Sequence, residues 1–206
     1  MHLEAIKLEA KPIFQKLGHI GADFYLAGGT SLALQIGHRV SVDFDLFSSK
    51  KLPKNLLAQL EEIFKNASVI PIVVQNDQIS VSVDGIQVTL LYYPFPLILP
   101  LVNVKPISLL SILEIATSKA YTLGRRATLK DYVDLYFIIK EKHCQLSEIM
   151  ELAAQKYQTA FNKKLFLEQL VYLKDVEALE IVFLRSPTKK DEIESFFRKE
   201  IQKIKI

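Results

Sequence analysis

Between Ala27 and Ser48 the chain reads "AGGTSLALQIGHRVSVDFDLFS", and this stretch restricts the fold more than any other. Gly28 and Gly29 follow the apolar run "FYLA" and precede "TSLALQI". That order reads as strand, tight turn and helix start, with Thr30 or Ser31 as the cap. Further on, Asp43 and Asp45 flank Phe44, so on a strand the two carboxylates share one face and Phe44 takes the other. Two adjacent anions repel unless a cation sits between them. A hard ion such as Mg²⁺, bound by one or two carboxylates plus phosphate oxygens, suits that place. Backbone N–H groups at the glycine turn, backed by the positive end of the helix dipole, form a ready anion site. Together the two ends of the stretch fit a nucleoside triphosphate, with the glycines at its phosphates and the carboxylates at its metal.

The rest of the chain changes character near Pro100. Before it, β-rich runs ("DFYLAG", "VDFDLF", "SVIPIVVQ", "QISVSV", "IQVTLLYY") alternate with helical patterns at residues 3–17, 30–37 and 53–65. Asp84-Gly85 marks a hairpin, making residues 78–92 two antiparallel strands. After Pro106 the periodicity is helical, at about 108–124, 128–142, 146–158, 163–173 and 189–203, and Ser111 with Glu114 has capping-box spacing. The expected architecture is α+β: a small mixed β-sheet core flanked by helices over residues 1–104, then a helical C-terminal domain over 105–206. The two are expected to pack with a cleft between them.

Composition permits this and excludes alternatives. Half of the 206 residues are hydrophobic, ample for a core, and a net charge of +3 allows a nucleotide or RNA partner without demanding one. The single Cys144 excludes an internal disulfide and a cysteine-based zinc site. With no export signal visible in "MHLEAIKLEAKPIFQKL", a cytoplasmic setting is expected. The most apolar stretch, "LLYYPFPLILPLV", is too short to cross a membrane and carries three prolines. His2, His19, His38 and His143 are scattered rather than at metal spacing, Cys144 has no evident catalytic partner, and neither a Gly-x-Ser-x-Gly elbow nor a Walker loop is present.

The second half offers one dense polar cluster, "SKAYTLGRRATLKDYVDLYFII". Lys119 ends one helix region, Arg125 and Arg126 lie in the turn, and Asp131 and Asp134, three apart, share a face of the next helix. Acidic residues in a first helical turn also complement the dipole, and nearby Lys or Arg form solvated pairs, so the cluster by itself reads more readily as an exposed polar face than as a site.

The stretch "GGTSLALQIGHRVSVDFDLF" resembles the signature of the DNA polymerase β type nucleotidyltransferase superfamily: a glycine turn, a helix, then Asp-hydrophobic-Asp. The added "HRVS" and the later "K…R…KDYVDLY" resemble the AbiEii/AbiGii type, the abortive-infection toxin nucleotidyltransferases, and the likeness covers roughly residues 24–140. The resemblance implies an enzyme that moves a nucleoside monophosphate from an NTP to an acceptor, an RNA, a tRNA or a protein, as the toxin of a toxin–antitoxin or abortive-infection pair with a cognate antitoxin. It implies that Asp43 and Asp45 ligate Mg²⁺ and that Gly28, Gly29, Thr30 or Ser31, Arg39 and Ser41 hold the triphosphate. Lys119 would serve the phosphates, and Asp131 would be the functional acid with Asp134 structural, Lys119 and Asp131 both being expected near solvent. One departure stands out. The superfamily takes a third carboxylate from a neighbouring strand, and the matching place in "GIQVTLLYY" holds Thr89, which can be neither such a ligand nor a general base near neutral pH. Either Asp131 replaces that acid, or activation relies on the metal, or, as the alternative reading, the protein is a catalytically degenerate member of this fold that binds a nucleotide or a partner.

Overall fold

The computed structural model describes residues 1–123, 125–126, 128–177 and 179–204. The chain forms two compact units, one of residues 1–96 and 100–110, the other of residues 97–99 and 111–206.

The first unit is built on five strands: β1 (Tyr25–Ala27), β2 (Phe44–Ser48), β3 (Val69–Val74), β4 (Gln78–Val83) and β5 (Ile86–Tyr92), in the order β1-β2-β5-β4-β3. β2 runs antiparallel to β1 and parallel to β5, so the sheet is mixed as expected. Asp84 and Gly85 both take positive φ, the turn geometry whose twist matches the strands it joins, and β4 and β5 pair antiparallel on either side. The period of two sorts the side chains. Phe44, Leu46, Val81, Val88 and Leu90 point into a core closed by α1 (Lys11–Lys16) and α3 (Leu56–Ile63) through Phe14, Leu56, Leu60 and the neighbouring Phe64. Asp45, Thr89 and Ser80 take the other face. Phe44 is 1% exposed with its ring 6.1 Å from that of Phe14, the buried side of the alternation the sequence implies.

Two sequence expectations change here. Residues 3–17 do not form one helix: short 3-10 turns at Leu3–Ala5 and Leu8–Ala10 precede α1, and Ile6 is extended, paired with Ser41. Pro12, in the first turn of α1, lacks the N–H that a continuous helix would need there. The strand expected over 42–47 begins only at Phe44, because the chain before it turns aside to make the Ile6–Ser41 bridge.

The second unit is helical: α4 (Ile112–Leu123), α5 (Leu129–Lys140), α6 (Leu146–Tyr157), α7 (Lys163–Leu170) and α8 (Lys190–Gln202). α4 starts later than periodicity suggests because Leu109 pairs with Leu26 and Val102 in the first unit; Gly124, its expected last residue, lies outside the described residues. The expected Ser111–Glu114 capping box does not form. Glu114 is fully buried and accepts instead from the backbone N–H of Ile98 (2.7 Å) and Leu99 (3.0 Å) and from Lys156 Nζ (2.5 Å). A capping box exists one helix pair later, between Gln145 and Glu148 at the start of α6. Among the described residues no helix is long and apolar enough to cross a membrane.

Candidate active site

In the first unit the site starts where β1 ends. Gly28, the first residue of α2 (Gly28–Ile36), takes φ +64°, a conformation L side chains rarely adopt. β1–β2 register places Ala27 opposite Asp45, and a Cβ built on Gly28 would stand 2.7 Å from Asp45 Oδ2. Two independent constraints thus demand glycine at residue 28: the turn, and a carboxylate lying against the backbone. The same turn ends in the unsatisfied N–H groups of the first turn of α2.

Thr30 and Ser31 do not cap this helix. Its N-cap, Ala27, receives no side-chain bond. Thr30, 3% exposed, donates its hydroxyl to the carbonyl oxygen of Asp43, with Ser41 Oγ also within reach at 2.7 Å. It fixes the segment that carries the first aspartate. Ser31 is fully buried and donates to Leu110 O at 3.3 Å. Both hydroxyls are spent on protein groups. Ser41 is buried, its N–H donating to Ala5 O, and Arg39 is 2% exposed, with Nη1 donating to Val40 O. These residues hold the loop before β2 together.

On the sheet, Asp45 pairs in register with Thr89 on β5, and Thr89 with Ser80 on β4. Ser80 Oγ and Thr89 Oγ1 are 3.1 Å apart, and Gln87 Nε2 donates to Thr89 Oγ1 at 3.1 Å. The position expected to lack a third carboxylate is therefore the one beside Asp45, filled by a hydroxyl already engaged in a polar ladder. Among the described residues no three His, Cys, Asp or Glu side chains converge as a metal cage. The donors fit Mg²⁺ all the same, since this ion is commonly bound by one or two carboxylates with the substrate's phosphates completing its shell.

The second unit carries Lys119, Asp131 and Asp134. Lys119 Nζ lies 2.9 Å from Asp131 Oδ1 and 2.7 Å from Asp134 Oδ2, joining α4 to α5. Asp131 accepts a further bond from Thr128 Oγ1 at 2.8 Å. The expectation that Lys119 and Asp131 stand near solvent is corrected: their side chains are 8% and 11% exposed, and that of Asp134 is wholly buried. Helix periodicity turns all three inward, and a lysine between two carboxylates makes that burial tolerable. Thr128 escaped sequence reasoning, as did Thr30 in its present role. The Glu114–Lys156 pair left one signal unread, a carboxylate inside the apolar run "ILEIA".

Cys144, 6% exposed, has its thiol pushed up to about 12 by burial and, secondarily, by Glu148, which is the opposite of an activated nucleophile.

Residues 16–100 match the family described as Nucleotidyl transferase AbiEii toxin, Type IV TA system. The uncharacterized protein aq_aa25 of Aquifex aeolicus (strain VF5) is 30% identical over 207 residues, covering 97% of this chain and 98% of that protein. Among solved structures, MenT4, a nucleotidyltransferase toxin from Mycobacterium tuberculosis H37Rv, superposes with a TM-score of 0.62 at 15% identity, over 89% of this chain and 77% of that one. JHP933 from Helicobacter pylori superposes with a TM-score of 0.52 at 16% identity, over 94% and 93%. At these identities the two structures share the fold.

Proposed function

The chain belongs to the AbiEii nucleotidyltransferase toxin family, and on that premise we propose that it transfers a nucleoside monophosphate from an NTP to an acceptor hydroxyl, as the toxin of a pair with a cognate antitoxin. The acceptor oxygen bonds to the α-phosphorus, the bond from that phosphorus to the bridging oxygen breaks, and pyrophosphate leaves. The observation that supports this reading is the Gly28 backbone lying against the Asp45 carboxylate, which brings the start of α2 beside the oxygen to which the reading assigns the metal. Mg²⁺ at Asp43 and Asp45 would supply charge neutralisation and a more acidic acceptor hydroxyl. Gly28 and Gly29 offer backbone N–H groups to the triphosphate, while Thr30, Ser31, Arg39 and Ser41 keep the surrounding loop in place. Lys119 is assigned to orient Asp131, and Asp131 to be the acid or base of the transfer.

The reading is tested by incubating purified protein with Mg²⁺, each α-labelled nucleoside triphosphate and total RNA, beside Asp43→Asn and Asp45→Asn. Label should move to an acceptor with the parent and fall by a hundredfold or more, roughly the loss when a preorganised charge is removed, with each variant. Variants as active as the parent would sink it. Thr89 favours the second reading, a degenerate binding protein; for that protein Mg²⁺ and nucleotide raise the melting temperature of the parent while no label moves.

A further inference from the structure

The turn that follows α4 carries a stack of three flat groups. The rings of Tyr157 and Tyr121 are 4.0 Å apart at an interplanar angle of 17°, and Arg125 Cζ stands 3.6 Å from the centre of the Tyr121 ring. Arg125 Nη1 donates to Tyr121 O and Nη2 to Ala160 O, both at 2.9 Å. The in-plane donors are thus fixed to carbonyls and the inner face rests on a ring. Arg125 is nevertheless exposed, so its outer face meets solvent. Arg126, next to it, is exposed as well. Among the described residues neither arginine has a carboxylate partner, whereas Arg185 and Arg198 in the same unit each grip a glutamate at 2.7 Å.

An arginine after a helix complements the dipole and can bond the last carbonyls, and a lysine would do this as well. What a lysine lacks is a rigid plane held parallel to an aromatic ring. A guanidinium locked by its edges, with one face open, is a stacking surface for an aromatic heterocycle, and unpaired bases stack on arginine planes and aromatic rings.

We propose that the outer face of Arg125 receives an unpaired nucleobase of an RNA strand, with Arg126 meeting the strand's phosphates. The proposal names the acceptor class for the transferase reading and rests on that reading for its biological role; the binding itself stands on the stack. A strand is favoured over a free nucleotide because the platform is an open surface with a second uncompensated cation beside it.

The test uses full-length Asp45→Asn protein without Mg²⁺, so that no transfer intervenes. A short 5′-fluorescein single-stranded RNA containing 2-aminopurine is compared with the same labelled oligonucleotide carrying an abasic site there, by fluorescence anisotropy titration. The base-containing strand should bind about tenfold tighter, in the range of one stacked base. Adding Arg125→Lys should erase that preference with melting unchanged, and adding Arg126→Ala should weaken both strands equally and lower the salt dependence. Equal binding of the two strands, or a preference that survives Arg125→Lys, overturns the proposal. Displacement of the strand's 2-aminopurine by ATP alone, at concentrations that leave the abasic strand bound, assigns the platform to the nucleotide and overturns the strand assignment. A base preference intact in a protein whose parent moves no label overturns the transferase reading alone.

Discussion

Asp45 and Thr89 face each other in register across two parallel strands, one a carboxylate and the other a hydroxyl held by Ser80 and Gln87. This places a neutral group where the superfamily likeness implies a third acid, and makes the electrostatics of the row adjustable by one substitution. Thr89→Asp should lower the stability of metal-free protein by about 1–3 kcal/mol, and its melting temperature with it, through the lost hydroxyl bonds and a new anion beside Asp45. Mg²⁺ or Mn²⁺ should recover most of that loss and stabilise the variant more than the parent. Thermal melts with and without metal check it; a deficit indifferent to metal would show that the row does not face a cation.

Gly28→Ala adds one methyl group directly against the Asp45 carboxylate. The backbone there costs an L residue about 1–2 kcal/mol, and the new Cβ would collide with Asp45 Oδ2. Stability should fall by at least that amount, and metal-dependent transfer by more than the folded fraction accounts for, because Asp45 must move. Calorimetry and transfer on one preparation separate the two losses. Loss of activity in proportion to unfolding would reduce Gly28 to a turn residue.

The Lys119 cluster predicts an order among variants. Lys119→Ala takes the shared cation from two carboxylates of which one is wholly buried, a loss of about 3–5 kcal/mol by the general behaviour of broken buried pairs. Asp131→Asn leaves the Lys119–Asp134 pair standing and should cost clearly less. Urea unfolding of both gives the ranking, and Asp131→Asn is the variant in which activity can be read free of unfolding. An Asp131→Asn protein less stable than Lys119→Ala would contradict the pairing.

Cys144 and Tyr132 link the second unit to pH. Burial raises the Cys144 thiol to about 12 and, with a smaller push from Asp131, the Tyr132 hydroxyl to about 12. Each neutral form is favoured by folding, so its contribution is complete below the ordinary values of 9.0 and 10.0 and is lost as pH rises from there towards 12. The slope is at most about 1.4 kcal/mol per pH unit for each group. The stability gap between parent and Cys144→Ala should therefore narrow above pH 9.0. Chemical denaturation at stepped pH checks it, and a gap that is constant to pH 11 would place the thiol in water.

Local chemistry made much of this legible. The strand, turn and helix around Gly28, the Asp84-Gly85 hairpin and the helical run after Pro106 all follow from neighbours within a few positions, and the structure has each of them. Thr89 on the strand beside Asp45 was legible too, through the neighbouring-strand position that the superfamily likeness supplied, and the parallel register bears it out. What escaped depends on partners distant in sequence. Nothing near Thr30 announces that its hydroxyl will hold the carbonyl of Asp43, and Glu114 sits at ideal capping distance from Ser111 while its partners are residues 98, 99 and 156. A short-range rule satisfied by spacing lost to a buried lysine and two amide groups, which together offer far more to a desolvated carboxylate.

The path of the chain between the two units has a practical meaning for anyone dividing the protein. It passes from the first unit to the second after Pro96, returns at Pro100, and crosses again at Ser111. No single cut yields both units entire. A fragment ending at residue 110 carries away residues 97–99, and the fragment beginning at Ser111 keeps Glu114 while losing the Ile98 and Leu99 amides that hold it. The helical unit would have to be expressed with its three missing residues grafted back. Protease nicking near residue 105 would leave two pieces, each still owning part of the other's unit, which hold together as a non-covalent pair rather than separate.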